Sequence, residues 1–286
     1  MLRDVLKPIA STIIKGPLYK TGAKNFRKLE RRVSSAQYHM SLQGIQSRKR
    51  LATWQNKHAG ERAFVIGNGP SLNLLDLTLL KDEVSIGCNG LFILFDNMGF
   101  VPPYYTCEDK LVGEDRAREL NNLKGTNKVF PYDLRHFLKS DEDTTYVNFI
   151  RGDYVGYPRI STDFANEAYW GGTVTFLNLQ LAIHLGCTTI YMIGFDHNYV
   201  LPDEIRTNEI DNNVKKVIHS KEADINHFDP SYFGPGYRWH NPNVARMERS
   251  YVVARKFAEA NNIKIYNATI GGKLEVFERV DYSSLF

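Results

Sequence analysis

Short apolar runs alternate with amphipathic segments along most of the chain after residue 61. Seven runs have the length and the β-branched and aromatic content of buried strands. They are RAFVIG, EVSIGCN, YYTCED, KVFPYDL, TTYVNFI, TIYMIGFD and IKIYNAT. Helices are predicted between them, at residues 71–80, 90–98, 111–123, 173–185 and 243–261. Strands that alternate with helices predict an α/β fold with a doubly wound, mostly parallel sheet.

The first 60 residues follow a different pattern. Apolar residues recur at roughly helical spacing within residues 23–58. Residues 1–60 hold 13 lysines and arginines but only two acids, a net charge of +11, whereas the whole chain carries +4. The remaining residues therefore sum to −7. We predict a basic helical N-terminal extension at 1–60 and an α/β domain at 61–286.

The basic extension has two interpretations. It is a solvated helix that packs one side on the body, or an interfacial helix that holds the protein on an anionic membrane surface. We expect no nucleic-acid partner, because no recognisable binding motif or aromatic platform accompanies the charge.

The expected location is the cytoplasm, with the protein peripheral at the inner face of the membrane. No run of about 18 apolar residues is present, and no secretory signal pattern follows Met1. The three cysteines form no CxxC pattern, which fits a reducing compartment.

A glycine-rich turn, GNGPS at residues 67–71, directly follows the first predicted strand. Its glycines allow backbone N–H groups to approach an anion, and the helix predicted behind it adds a favourable dipole. It is not a Walker motif, because no Gly-Lys-Ser/Thr follows it. It is not a dinucleotide GxGxxG motif either, because Leu72 stands at the third glycine position. The turn therefore predicts a phosphate site, and a plain tight turn is the alternative.

Polar residues also follow other strands. Asn89 follows the second strand and can bind a base or sugar edge, or it forms an ordinary Asn-Gly turn. The small residues at 170–173 open an apolar helix whose start can hold a phosphate or carboxylate, or allow close helix packing. The strand TIYMIGFD leads into Asp196 and Tyr199. Ligands of such sheets bind at the carboxyl ends of strands, so we expect these residues to meet there.

The stretch 201–242 is dense in histidine, proline, asparagine and tyrosine, which predicts a long functional loop or lid. Histidine side chains can take a proton from a hydroxyl nucleophile, and His227 and His240 are the candidates in this stretch. Tyr232 and Arg238 suit the binding of a leaving phosphate. No HxH or HExxH spacing occurs, so we predict no metal site.

Taken in their order along the chain, these motifs resemble those of the bacterial CMP-sialic acid-dependent sialyltransferases of glycosyltransferase family 42. They also resemble a broader group that contains the motility accessory factor glycosyltransferases and the archaeal 6-hydroxymethylpterin diphosphokinases. The resemblance covers about residues 61–280 and leaves the basic extension outside. It implies a Rossmann-like, GT-A-like catalytic domain that binds a nucleotide sugar.

The resemblance also implies roles for individual residues. The residues that match the family's nucleotide-binding positions are Gly67, Asn68, Gly69, Ser71 and Asn89. Gly172 and Thr173 match the contacts to the donor's phosphate or carboxylate, and Asp196 and Arg238 are further candidates.

The resemblance further implies a tyrosine pair and a general base. Tyr199 and Tyr232 are the candidates for steadying the leaving phosphate, although Asn198 stands where the family has its first tyrosine. His240 best matches the general base. His227 stays open, because the loop spacing differs from that of the family.

The sequence thus predicts an inverting glycosyltransferase that needs no cofactor and moves a CMP-activated nonulosonic or related acid sugar to a glycan or lipid-linked acceptor. The alternative is a diphosphokinase that moves pyrophosphate from ATP to a pterin-type alcohol with Mg²⁺, bound by Glu108, Asp109 and Asp196. A non-catalytic nucleotide-binding protein is the third hypothesis. The sugar, the acceptor and the oligomeric state stay open, and a homo-oligomer is compatible with the sequence.

Overall fold

A computed structural model describes residues 17–152, 158–201 and 217–286, with side chains from residue 29 onward. Residues 1–16 of the predicted basic extension and residues 202–216 of the predicted lid lie outside the described residues. Within the described ranges, no helix combines the length and the apolar character that a membrane crossing requires.

The strands confirm the predicted α/β architecture. In chain order they are β1 (Arg62–Ile66), β2 (Val84–Cys88), β3 (Tyr104–Thr106), β4 (Asn127–Pro131), β5 (Thr144–Val147), β6 (Phe149–Ile150), β7 (Ala168–Tyr169), β8 (Thr189–Ile193), β9 (Val217–His219), β10 (Arg238–His240), β11 (Lys264–Asn267) and β12 (Glu278–Arg279). Eight of them form one sheet in the order β12-β11-β8-β1-β2-β3-β4-β5. Every neighbouring pair in this sheet is parallel. Two small ribbons join β6 with β7 and β9 with β10.

The helices lie before and between these strands. In chain order they are α1 (Pro17–Met40), α2 (Leu42–Trp54), α3 (Phe95–Met98), α4 (Lys110–Asp115), α5 (Ala117–Asn122), α6 (Val174–His184) and α7 (Val244–Ala260). Helices α6 and α7 confirm the predictions at 173–185 and 243–261. Each begins after a capping residue, Thr173 and Asn243, whose side chain accepts a backbone N–H of the first turn.

The helix predicted at residues 71–80 is wrong. This segment forms two 3₁₀ turns, Pro70–Leu74 and Leu77–Leu80. The second turn is capped by Asp76, whose carboxylate accepts the Thr78 N–H and so separates the two turns. The predicted helices at 90–98 and 111–123 are likewise shorter, because a 3₁₀ turn precedes α3 and Arg116 divides α4 from α5.

The sheet is buried on both faces, which explains the uninterrupted apolar runs of the sequence. Val65 of β1 packs in a cluster with residues of α6 and α7. Its neighbours Phe64 and Ile66 face the other side and pack with Leu72 and the 3₁₀ segments. Alternation along each strand thus builds two cores, one on each side of the sheet.

The second half of the N-terminal extension packs into these cores. Leu51 and Trp54 of α2 join the cluster around α6. Tyr38 of α1 is fully buried, and its hydroxyl donates to the Tyr146 carbonyl at 3.1 Å. The packing therefore continues across residue 60, the boundary that the charge pattern suggests.

Candidate active site

A cleft opens where the order of the strands reverses. Strands β2 to β5 lie on one side of β1, and β8, β11 and β12 lie on the other. Loops that leave neighbouring strands in opposite directions create a crevice at the carboxyl ends, where ligands of such sheets bind. The cleft here has a volume of about 2420 Å³. That exceeds the ~300–1,000 Å³ of a typical small-molecule pocket, so it has room for two substrates.

The turn at residues 67–71 lies at this cleft but uses its N–H groups within the protein. The Gly67 N–H donates to the Ile193 carbonyl at 2.8 Å, and the Gly69 N–H donates to the Gly194 carbonyl at 2.9 Å. The Ser71 hydroxyl donates to the Asp196 carboxylate at 2.7 Å, and the Ser71 N–H points to the same group. A 3₁₀ turn stands where the sequence predicts a helix, and the Asp196 carboxylate already accepts from Ser71, while the phosphate site at this turn stays a prediction.

The glycines of this turn are explained by close packing against the end of β8. A Cβ at Gly69 would stand 1.8 Å from Oδ2 of Asp196. A Cβ at Gly67 would stand 2.3 Å from the Gly194 carbonyl oxygen. Only glycine fits at either position.

Two asparagines at neighbouring strand ends present unpaired acceptors at the cleft. Asn68 donates through Nδ2 to the Cys88 thiol at 3.3 Å, while its Oδ1 is buried without a hydrogen-bond partner in the described residues. The Oδ1 atom of Asn89 is buried and unpaired in the same way. Leaving such an atom unpaired costs about 1–3 kcal/mol. A ligand with hydrogen-bond donors on its edge would satisfy both atoms.

His240 is held by a carboxylate at the edge of the cleft. Its Nδ1–H donates to Oδ2 of Asp109 at 2.7 Å. The other oxygen of Asp109 caps α4 and accepts the N–H groups of Leu111 and Val112, at 2.7 and 3.3 Å. Burial opposes ionisation of this carboxyl, but the bonds from His240 and the two N–H groups outweigh it and hold the pKa of Asp109 below its ordinary value.

His227 forms a second pair of the same kind. Its Nδ1–H donates to Oδ2 of Asp224 at 2.7 Å, and its ring stacks on Tyr232 at 4.0 Å. Burial raises the pKa of the Asp224 carboxyl, but the bond from His227 outweighs burial and lowers that pKa below its usual range. The His227 side chain is 14% exposed and that of His240 is 32% exposed, so His240 is the more accessible of the two.

The two candidate tyrosines both line the cleft but occupy different surroundings. The Tyr232 hydroxyl accepts the Gly90 N–H at 3.3 Å. The Tyr199 hydroxyl lies 3.9 Å from the Met247 sulfur. Burial raises the pKa of both phenols well above the ordinary value, so both stay protonated at neutral pH. Within the described chain, no ring contact joins these two tyrosines.

A cation that sequence reasoning missed lies beside the start of α6. Arg246 of α7 extends past Gly172, and a Cβ added at Gly172 would stand 2.7 Å from Cδ of Arg246. The guanidinium of Arg246 lies 4.9 Å from the centre of the Trp170 ring. No carboxylate in the described ranges pairs with it. Gly172 has a φ of +89°, a backbone conformation that favours glycine. Arg246 and Thr173, the cap of α6, therefore both line a part of the cleft that suits a phosphate or carboxylate.

Arg238 does not take the position that the sequence suggested for it. Its guanidinium is bound by Asp115 and by Glu114, the latter at 2.9 Å, on the far end of α4 from Asp109. It is not among the described residues that line the cleft. In the structure Arg238 thus forms an ion pair between β10 and α4, and its contact with the donor stays a prediction.

The acids proposed as magnesium ligands in the alternative hypothesis have separate partners. Arg151 pairs with Glu108 at 2.8 Å and with Asp133 at 2.6 Å. Asp109 binds His240, and Asp196 binds Ser71. In the portion of the chain that the structure describes, no group of three or more histidine, cysteine or acidic side chains is arranged to hold a metal ion.

The chain belongs to the 6-hydroxymethylpterin diphosphokinase MptE-like family, whose model matches residues 37–201. This match confirms the resemblance that the motifs suggested. It covers the strand ends that carry Asn68, Asn89 and Asp196, whereas both candidate bases, His227 and His240, lie beyond it. No curated protein matches the chain significantly.

Two solved structures are similar to the chain at low identity. The structure of the MAf glycosyltransferase from Magnetospirillum magneticum AMB-1 is 12% identical with a TM-score of 0.45, and the match covers 95% of this chain. The chain spans 43% of the length of that protein. The sialyltransferase CstII from Campylobacter jejuni, in complex with a substrate analogue, cytidine-5'-monophosphate, is 13% identical with a TM-score of 0.29. That match covers 78% of this chain and 85% of the other.

Proposed function

We propose that the chain is a glycosyltransferase that uses a CMP-activated nonulosonic or related acid sugar as donor. The observation that carries the proposal is the His240–Asp109 pair, at 2.7 Å, in a cleft that also contains the unpaired acceptors of Asn68 and Asn89. The pair is suited to remove a proton from an alcohol. The two acceptors suit a nucleotide edge.

In this proposal His240 acts as the general base. Because its Nδ1–H is bound to a carboxylate, Nε2 carries the lone pair that accepts the proton of the acceptor hydroxyl. The acceptor oxygen then attacks the anomeric carbon of the donor. The bond from that carbon to the phosphate oxygen breaks, CMP leaves with the electron pair, and the anomeric configuration inverts. Asp109 stabilises the imidazolium that forms.

The leaving phosphate needs positive partners as its charge develops. Arg246 and the N–H groups at the start of α6 supply them at one side of the cleft. Protonated Tyr199 and Tyr232 are proposed as hydroxyl donors, in the role that the sequence suggested. The acceptor, a glycan or a lipid-linked glycan, would occupy the remaining volume.

Diphosphokinase activity is the second candidate, and the family match supports it only weakly, through the family's name. It would require Glu108, Asp109 and Asp196 to bind Mg²⁺ together with ATP. Each of these carboxylates would first have to give up a bond, to Arg151, His240 or Ser71. For this reason we rank the glycosyltransferase first.

Thermal unfolding with added nucleotides separates the two candidates. We would measure the melting temperature with CMP, CDP, UDP and ATP, each with and without Mg²⁺. A ligand at about 100 times its dissociation constant adds roughly 2.7 kcal/mol to the free energy of unfolding. The proposal predicts stabilisation by CMP without Mg²⁺, and loss of that effect in Asn68→Ala. Stabilisation by ATP with Mg²⁺ alone would support the diphosphokinase instead.

A further inference from the structure

Helix α1 has two different faces in its described part. Residues at 30, 31, 34 and 35 line the cleft, and Tyr38 on the same side is buried in the core. On the other side, Leu29, Val33 and Met40 are 58%, 48% and 74% exposed. Their spacings of four and seven residues place them on one face of a helix. Leu42, which begins α2, is 70% exposed and extends this apolar surface.

Large apolar side chains that stand together in solvent mark a surface for a partner. Eleven large hydrophobic residues are exposed in the described chain, and four of them lie between residues 29 and 42. Arg32 is also exposed on the outward face. The apolar stripe is therefore bordered by positive charge.

The charge of the helix identifies the kind of partner. The sequence of α1 contains six lysines and arginines and one acid, Glu30. An anionic surface complements this charge. A second copy of the chain would bring two such basic helices together, and their like charges would oppose that contact.

We propose that the outward face of α1, formed by Leu29, Arg32, Val33 and Met40, docks on an anionic phospholipid surface. The helix lies in the plane of the interface, with the apolar stripe in the acyl boundary and Arg32 at the headgroups. Because the opposite face of α1 lines the cleft, docking brings the cleft close to the bilayer. This position would give access to a lipid-linked acceptor. Only this last consequence rests on the proposed function.

Sedimentation of the full chain with vesicles tests the proposal. Vesicles of phosphatidylcholine with about 30% phosphatidylglycerol are compared with vesicles of phosphatidylcholine alone, at about 0.1 M and 1 M salt. The test variant is Leu29→Ser with Val33→Ser. The control is Leu74→Ser, which removes a leucine that is 67% exposed from a 3₁₀ turn outside α1. Circular dichroism verifies that each variant is folded.

We expect the wild type and the control to bind anionic vesicles and the double variant to bind at least about tenfold more weakly. We also expect binding to fall at 1 M salt, where screening acts within about 3 Å. Equal binding of the double variant, or no preference for anionic vesicles, would overturn the proposal. A third outcome would also overturn it: the wild type forms a dimer and binds no vesicles, and the double variant is a monomer. The stripe would then be an interface between copies.

Discussion

Replacement of Asp109 by asparagine tests the proposed base in a nearly isosteric way. The new side-chain amide would retain Oδ1, which caps α4 through the N–H groups of Leu111 and Val112. At the position of Oδ2 it would carry an N–H₂ group, which faces Nδ1 of His240. Nδ1 must then accept a hydrogen bond, so the imidazole proton moves to Nε2. The ring keeps its place but can no longer take a proton from the acceptor.

The magnitude follows from the loss of general-base catalysis, which is worth about 10²–10⁴ in rate. In transition-state terms this is roughly 3–5 kcal/mol. The bond that is lost is short, 2.7 Å, and charge-assisted. Since the cap is retained, the melting temperature should change by only a few degrees. Donor affinity should also stay constant, because Asp109 binds the base and not the nucleotide in this proposal.

The assay is the release of CMP from a CMP-activated nonulosonate, measured with donor titrations to separate turnover from binding. Asp224→Asn is the control, because Asp224 holds His227 at the same distance of 2.7 Å and also accepts backbone N–H groups, that of Phe233 at the oxygen that binds His227. The reasoning is refuted if Asp224→Asn loses more turnover than Asp109→Asn, and His227 then becomes the base.

Three further predictions concern other side chains. Asn68→Ala and Asn89→Gly should each weaken nucleotide binding in calorimetric titration and leave the melting temperature nearly unchanged; glycine suits the φ of +53° at position 89. Gly69→Ala should lower both stability and nucleotide affinity, because its Cβ would stand 1.8 Å from a carboxylate oxygen, and an unaltered urea midpoint would contradict this. Asp141→Asn should reduce the free energy of unfolding by about 1–3 kcal/mol, because it removes the negative partner of the fully buried ammonium of Lys128, 2.5 Å away. Burial opposes ionisation of Asp141, but the bond from Lys128 outweighs burial and lowers the pKa of Asp141. The stabilisation is therefore complete above the unfolded pKa of about 3.9 and disappears as pH falls through the folded pKa. Urea titrations across pH 2–7 should show this loss of stability in the wild type only.

The sheet was predictable because its strands are buried on both faces. Such strands appear as continuous apolar runs, and all seven predicted runs contain a strand of the structure. The apolar run at 71–80 shows the limit of this signal, since a short apolar segment does not distinguish helix from other buried turns. Asp76 followed by Thr78 is a capping pattern that could have revealed the break.

The position of the site was partly predictable from topology. Carboxyl ends of parallel strands meet at one edge, so Asn68, Asn89 and Asp196 were expected close together, and all three line the cleft. Their partners were not predictable. Ser71 and Asp196 are 125 residues apart in the chain, and Asp109 and His240 are 131 apart.

The ion pair of Arg238 was unpredictable for the same reason. Its partner Asp115 lies 123 residues earlier, on a helix whose contact with β10 no sequence pattern indicates. Arg246 was missed for a related reason, because an arginine in an amphipathic helix has no feature that separates a binding residue from a solvated one. Only the packing of α7 against Gly172 and Trp170 distinguishes it.

The central claim is that the cleft transfers a sugar from a nucleotide, and ³¹P NMR of a reaction mixture tests it most directly. The full chain would be incubated with a CMP-activated nonulosonate and a glycan acceptor, and separately with ATP, Mg²⁺ and a hydroxymethylpterin. We predict that the phosphodiester signal of the donor is replaced by that of CMP in the first mixture, that His240→Ala abolishes this change, and that ATP stays intact. Unchanged donor together with conversion of ATP to AMP and a pterin diphosphate would contradict the account.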